Sequence, residues 1–130
     1  MRSPLRLLLA LCAVAAALSG CGADKPLPVL NDTIGLKLGE YWIRPQVVSA
    51  NAGPLRLIVR NKGILTHNIA VETIPKNPND KPRTLARTAT VHAGQRAETS
   101  FTIGPGRYRL VCTIANHSYL GMFGTLIVKR

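Results

Sequence analysis

The chain has 130 residues, enough for one domain around a single core. It is basic, with 17 Lys and Arg against 6 Asp and Glu for a formal charge of +11, but these charges are scattered. With no Lys/Arg run and no aromatic ladder, nucleic-acid binding is excluded as the leading reading, and the charge suits an acidic partner, anionic headgroups or plain solubility.

Residues 1–21 read MRSPLRLLLALCAVAAALSGC. Arg2 and Arg6 give a positive start, and Leu7 to Leu18 give an apolar run too short for a permanent membrane span but suited to a secretory signal. The run ends in Leu18-Ser19-Gly20-Cys21, which resembles the lipobox of bacterial lipoproteins. That resemblance implies cleavage after residue 20 and a lipid on Cys21. The small residues before Cys21, and the end of the apolar run there, favour this over an ordinary signal peptide that contains a Cys. Removing Arg2 and Arg6 leaves a charge of +9. Cys12 leaves with the signal and Cys21 carries lipid, so Cys112 stands alone in the folded part and can form no internal disulfide. A lone exported thiol invites oxidation unless something such as a metal holds it.

Residues 21–32 form a lipidated N-terminus and tether, with Pro26 and Pro28 keeping it extended. The domain then occupies 33–130, and its patterning is that of strands. Leu55, Leu57 and Val59 alternate with Arg56, Ile58 and Arg60. His67, Ile69 and Val71 alternate with Asn68, Ala70 and Glu72. Thr99, Phe101 and Ile103 alternate with Glu98, Ser100 and Thr102. Tyr108, Leu110 and Cys112 alternate with Arg107, Arg109 and Val111. Each pattern has period two and predicts one buried face. Turn residues separate them at 51–53, 61–63, 92–94 and 104–106, and 76–82 is a polar, Pro-broken loop. Past the signal no long segment carries a helical stripe. Short strands at this spacing predict an all-β sandwich or barrel. Trp42 reads as a core residue and His92 as a surface one.

The alternation aims Cys112 and His67 inward. Taken singly, His67 reads as a hydrogen-bonded core histidine, Cys112 as a small buried hydrophobe and Met122 as strand core. Taken together with His117 on the connecting loop, the balance reverses. Two imidazoles, a thiolate and a thioether make the ligand list of a blue-copper site, whereas zinc rarely recruits Met. The stretch CTIANHSYLGM, residues 112–122, carries three of the four on one connection, and His67 comes from a strand distant in sequence.

The chain resembles the cupredoxins of the plastocyanin and azurin type. The matching stretches are Thr66-His67-Asn68-Ile69, Gly104 through Thr113, His117, and Gly121 through Leu126, and the likeness extends upstream through Glu40 to Pro45 and Ala52 to Gly63, covering essentially residues 33–130. The resemblance implies a Greek-key β-sandwich of about seven or eight strands. It implies one copper ion bound by His67, Cys112, His117 and an axial Met122, with Asn68 bracing the Cys loop near Thr113. His117 would lie at the surface in an apolar rim, for which Ile64, Leu65, Ala115 and Leu120 are candidates. Many relatives carry Pro-Gly before the second His, where this chain has Ala115-Asn116. Asn can adopt the left-handed conformation that Gly would supply.

The function expected is an exported, membrane-anchored carrier of single electrons between redox proteins, working as a monomer on the periplasmic or outer-surface side. The alternative is a copper-binding or delivery protein without electron transfer. Delivery sites tend to be exposed and rich in Met or His, and this chain has only Met1 and Met122. A copper enzyme needs further centres built from histidine, and only His92 is left over.

Overall fold

The computed structural model describes residues 25–130. The signal, the lipobox and Cys21 lie outside the described residues. No helix occurs among those described, and ten strands form two facing sheets. In chain order they are β1 (Leu27–Pro28), β2 (Thr33–Gly39), β3 (Trp42–Arg44), β4 (Val47–Asn51), β5 (Gly53–Asn61), β6 (Ala70–Thr73), β7 (Thr84–Arg87), β8 (Arg96–Ile103), β9 (Gly106–Val111) and β10 (Phe123–Lys129). One sheet runs β1-β4-β10-β9-β6-β7 and the other β3-β2-β5-β8. Pairing is parallel at β1–β4, β4–β10 and β2–β5 and antiparallel elsewhere. The all-β sandwich read from the sequence is therefore the architecture. The count of ten exceeds seven or eight because β1 and β3 are fragments of two and three residues.

Period-two patterning builds both inner faces. Ile34, Leu36 and Leu38 on β2, with Leu55, Leu57 and Val59 on β5, face Val48, Leu110, Leu126 and Val128 from the other sheet, all at most 5% exposed. Each such side chain contributes about 1.5–3 kcal/mol by leaving water. The cationic partners in the alternation, Arg56 and Arg60, stay exposed. Gly124 on β10 lies against Gln46, the residue before β4. A Cβ there would lie 2.6 Å from the Gln46 carbonyl oxygen, which accepts a hydrogen bond from Thr125 N–H at 2.8 Å.

Leu27 and Pro28, within the segment expected as a tether, pair with Val48 and Ser49 at the sheet edge. Pro can sit there since an edge strand leaves its missing N–H uncalled for. Trp42 is half-buried and outside the core. Its ring covers Gly39, where a Cβ would meet it at 2.3 Å, and the Arg44 guanidinium stands 5.5 Å from the ring centre. The segment from His67 to Val71 is buried on both faces, not one, and regular pairing begins only at Ala70. Ala70 is flanked by Arg87 on β7 and Val111 on β9, and Asn68 is buried because its amide oxygen has partners.

Candidate metal centre

Three connections meet at one end of the sandwich. They are the β2–β3 turn at residues 40–41, the segment 62–69 between β5 and β6, and the loop 112–122 between β9 and β10. Cys112 continues the inward alternation of β9 one residue past its end and is 1% exposed. His67 is held by a two-way bridge to Val91: His67 N–H donates to the Val91 carbonyl at 3.1 Å, and Val91 N–H donates back at 2.8 Å.

The 112–122 loop is a wound turn. His117 N–H donates to Ile114 O, Tyr119 N–H to Asn116 O, and Met122 N–H to His117 O at 3.0 Å. Cys112 N–H then donates to Met122 O at 3.1 Å, which closes the loop on itself. The left-handed residue of this turn is Ala115, at φ 45°, and Asn116 is not among the positive-φ residues. The sequence reading placed that conformation on Asn116. The chain takes it one residue earlier, within the turn that His117 N–H closes on Ile114 O.

The fold brings His67, Cys112 and His117 together, their candidate ligand atoms all within 4.8 Å of one another. Cys112 Sγ lies 3.7 Å from His117 Nδ1, and the two imidazole centres are 5.1 Å apart. Met122 is fully buried in the same cluster as Cys112 and tied through its backbone to both Cys112 and His117.

The donor set fits a metal ion on one further observation. Both ring nitrogens of His67 are buried and neither has a hydrogen-bond partner. A buried polar atom left unpaired costs about 1–3 kcal/mol. A metal ion between His67, Cys112 and His117 would satisfy one of them and occupy the lone thiol. Burial is the main cause that holds the His67 pKa below its ordinary value. The neighbouring His117 adds to this and Glu40 opposes it. The ring is thus kept neutral, the form that binds metal.

The segments carrying Cys112 and His67 are braced to each other. Asn68 Oδ1 accepts from Thr113 N–H at 2.9 Å and from the Thr113 hydroxyl at 3.0 Å. His117 is 9% exposed, with the Tyr41 ring edge-on at 5.3 Å. Ile64, Leu65, Ala115, Tyr119 and Leu120 are all exposed on the two histidine-bearing connections, and Phe123 is exposed at the start of β10.

Two residues escaped the sequence reading. Asn61 is fully buried and pins the segment before His67: its amide donates to Leu65 O at 2.7 Å and Val91 O at 3.1 Å, and its oxygen accepts from Gly63 N–H. In sequence it looked like an ordinary turn residue. Glu40 accepts from Ile64 N–H at 2.7 Å and Leu65 N–H at 3.0 Å through Oε1, which stands 3.8 Å from His67 Nε2. These backbone bonds, Leu65 first, hold its carboxyl below the usual carboxylate range. In sequence Glu40 is marked by its rarity, one of 6 acidic residues in a basic chain, and by opening the family-like stretch that runs to Pro45. His92 is exposed, as read.

Residues 34–129 match the family described as copper binding proteins, plastocyanin/azurin family. Auracyanin-B of Chloroflexus aurantiacus is 44% identical over 52 residues, which cover 39% of this chain and 22% of that protein. The match thus spans about a fifth of that relative's length. Among solved structures, the dithionite-reduced auracyanin of Roseiflexus castenholzii is 21% identical, with a TM-score of 0.67 over 76% of this chain and 98% of its own. Auracyanin A, described as a "blue" copper protein of Chloroflexus aurantiacus, is 23% identical, with a TM-score of 0.60 over 78% and 99%. These likenesses carry the fold.

Proposed function

The chain belongs to the plastocyanin/azurin family of copper-binding proteins, and on that premise we propose that it carries single electrons on one copper ion held by His67, Cys112, His117 and Met122. The observation that carries this reading is the pair of buried, partnerless ring nitrogens on His67 beside a buried thiol outside any disulfide and a second imidazole. Copper bound there supplies a one-electron couple between Cu(I) and Cu(II). Soft thiolate and thioether donors suit the reduced ion, and imidazole suits both.

The chain's own residues keep that couple fast by keeping the donors still. His67 is fixed by its bridge to Val91, Cys112 and Met122 by the bond that closes their loop, and the two segments by Asn68 on Thr113. A site that does not rearrange between oxidation states has little to reorganise when the electron moves. His117 is the ligand nearest the surface, so its ring edge is where an electron enters or leaves, among exposed apolar side chains that let a partner approach closely.

The partners are redox proteins, and the high positive charge favours acidic ones. Export and a lipid on Cys21 are supported by the charged start, the apolar run and the lipobox-like end of residues 1–21. The domain works as a carrier and not as a catalyst, since His92 alone cannot build a second centre. A redox titration of the copper-loaded protein tests the carrier role. One reversible one-electron wave, with copper retained against a mild chelator, is expected. Loss of copper to that chelator within seconds would move the assignment to copper delivery.

A further inference from the structure

We propose that Glu40 is the positioning residue for His67: its carboxylate selects the tautomer in which the ring turns Nδ1 to the metal, and it holds a negative charge behind that ligand. The inference rests on the copper reading of the site. Glu40 sits in the turn between β2 and β3, 27 places before His67 in sequence. Its Oε1 is fixed by two backbone donors, Ile64 N–H at 2.7 Å and Leu65 N–H at 3.0 Å. Those residues lie just before His67, so the carboxylate is clamped to the segment that carries the ligand. The same oxygen is 3.8 Å from His67 Nε2.

An ionised carboxylate only accepts. It therefore favours a hydrogen on Nε2, and a neutral ring protonated there keeps its lone pair on Nδ1. Nδ1 is the other buried nitrogen without a partner. A shift of about 0.6–1 Å turns the 3.8 Å approach into a hydrogen bond. Metal-ligating histidines generally give their second N–H to an outer acceptor that fixes the ring.

Two features show that the carboxylate is kept in place. A Cβ on Gly63 would fall 2.1 Å from Glu40 Oε1 and 2.6 Å from its Cδ, so position 63 is clear because the carboxylate fills it. Asn61 separately pins the backbone on both sides, accepting from Gly63 N–H and donating to Leu65 O. Among the described residues no Lys or Arg forms an ion pair with Glu40, whereas Glu98 pairs with both Arg56 and Arg96. The charge beside His67 thus has no Lys or Arg partner among the described residues, and it favours the more positive state of a metal on the far side of the ring.

The experiment compares Glu40→Gln, Glu40→Ala and Gly63→Ala with the parent protein. The first readout needs no metal: long-range proton–nitrogen spectra of the copper-free protein at neutral pH. His67 is expected as the Nε2–H tautomer in the parent and as a mixed population in Glu40→Ala. A parent His67 protonated on Nδ1, or a tautomer unmoved by Glu40→Ala, overturns the inference. The second readout is the midpoint potential of the copper-loaded forms at fixed pH. Glu40→Gln keeps an oxygen for Ile64 and Leu65 but loses the charge, so it raises the potential, a several-fold change in the ratio of Cu(I) to Cu(II) affinity. Gly63→Ala displaces the carboxylate and shifts the potential in the same direction. Unchanged potentials in both overturn the proposal. Failure to bind copper would defeat the carrier reading yet leave the tautomer measurement to decide on Glu40.

Discussion

Asn68 accepts two hydrogen bonds from Thr113 through one oxygen, at 2.9 Å from the backbone N–H and 3.0 Å from the hydroxyl. Asn68 follows His67 and Thr113 follows Cys112. The two candidate ligands, 45 residues apart in sequence, are therefore locked together one residue beyond each. Replacing Asn68 by Ala removes both bonds and should destabilise the copper-free domain by about 1–2 kcal/mol. Thr113→Ala removes only the hydroxyl bond and should cost about half as much. Denaturant midpoints of the two variants check the ordering, and equal costs would show that the backbone bond contributes nothing.

Ala115 holds a left-handed conformation, φ 45°, which costs an L-residue with a Cβ roughly 1 kcal/mol. Ala115→Gly should therefore stabilise the domain by about 0.5–1 kcal/mol. Asn116→Gly should give no gain, because that residue is not in the left-handed region. Thermal melts of both variants separate the two positions. A gain at residue 116 with none at 115 would return the turn to the arrangement expected from sequence.

Burial of His67 makes the copper-free protein acid-sensitive. The groups facing the ring are His117 and Cys112 within the donor cluster and Glu40 from the β2–β3 turn. The His67 pKa in the folded state is depressed, mainly by burial. The unfolded chain then takes up a proton first as pH falls, near the ordinary histidine value of about 6.5. The stabilising contribution of the neutral ring is present above that pH and is lost below it, with a slope of at most about 1.4 kcal/mol per pH unit for one proton. Denaturation of the copper-free protein between pH 7.5 and 5, estimated as the window about that value, checks the sign. His67→Gln should flatten the slope.

Gly124 leaves no room for a side chain, with a Cβ position 2.6 Å from the Gln46 backbone oxygen. Gly124→Ala has to push β10 away from the start of β4, where Thr125 N–H donates to the same oxygen. A loss of about 1–3 kcal/mol is expected, as for other overpacked positions. A melt unchanged from the parent would mean that the strands separate there at no cost.

The parts of this structure that follow local rules are the parts a reader of the sequence can find. Alternation at 55–60 and 107–112 aims Leu57, Leu110 and Cys112 inward, because strand geometry leaves a side chain only two faces. That His67, Cys112 and His117 converge was legible for the same reason, helped by donor types that have one chemistry in common. Long-range closure was not legible. Nothing local to Glu40 says that its carboxylate returns to Ile64, Leu65 and His67, more than 20 residues on. Asn61 continues the inward alternation of Leu55, Leu57 and Val59, but nothing local to it says that its amide binds Leu65 and Val91. Trp42 misled because its size suggested core, whereas it covers Gly39 from outside. Ala115 misled because the propensity for a left-handed residue favours Asn, whereas the turn closed by His117 N–H on Ile114 O takes its positive φ at Ala115.

The central claim is that Cys112, His67 and His117, with Met122, hold one copper ion through a thiolate bond. Its most direct test is the visible absorption of the chain from residue 22 onward after addition of one equivalent of Cu(II), with Cys112→Ser in parallel. The account predicts an intense thiolate-to-copper band in the parent, saturating at one ion per chain, and none in Cys112→Ser. A parent that stays colourless with copper bound, or a band that survives Cys112→Ser, would contradict it.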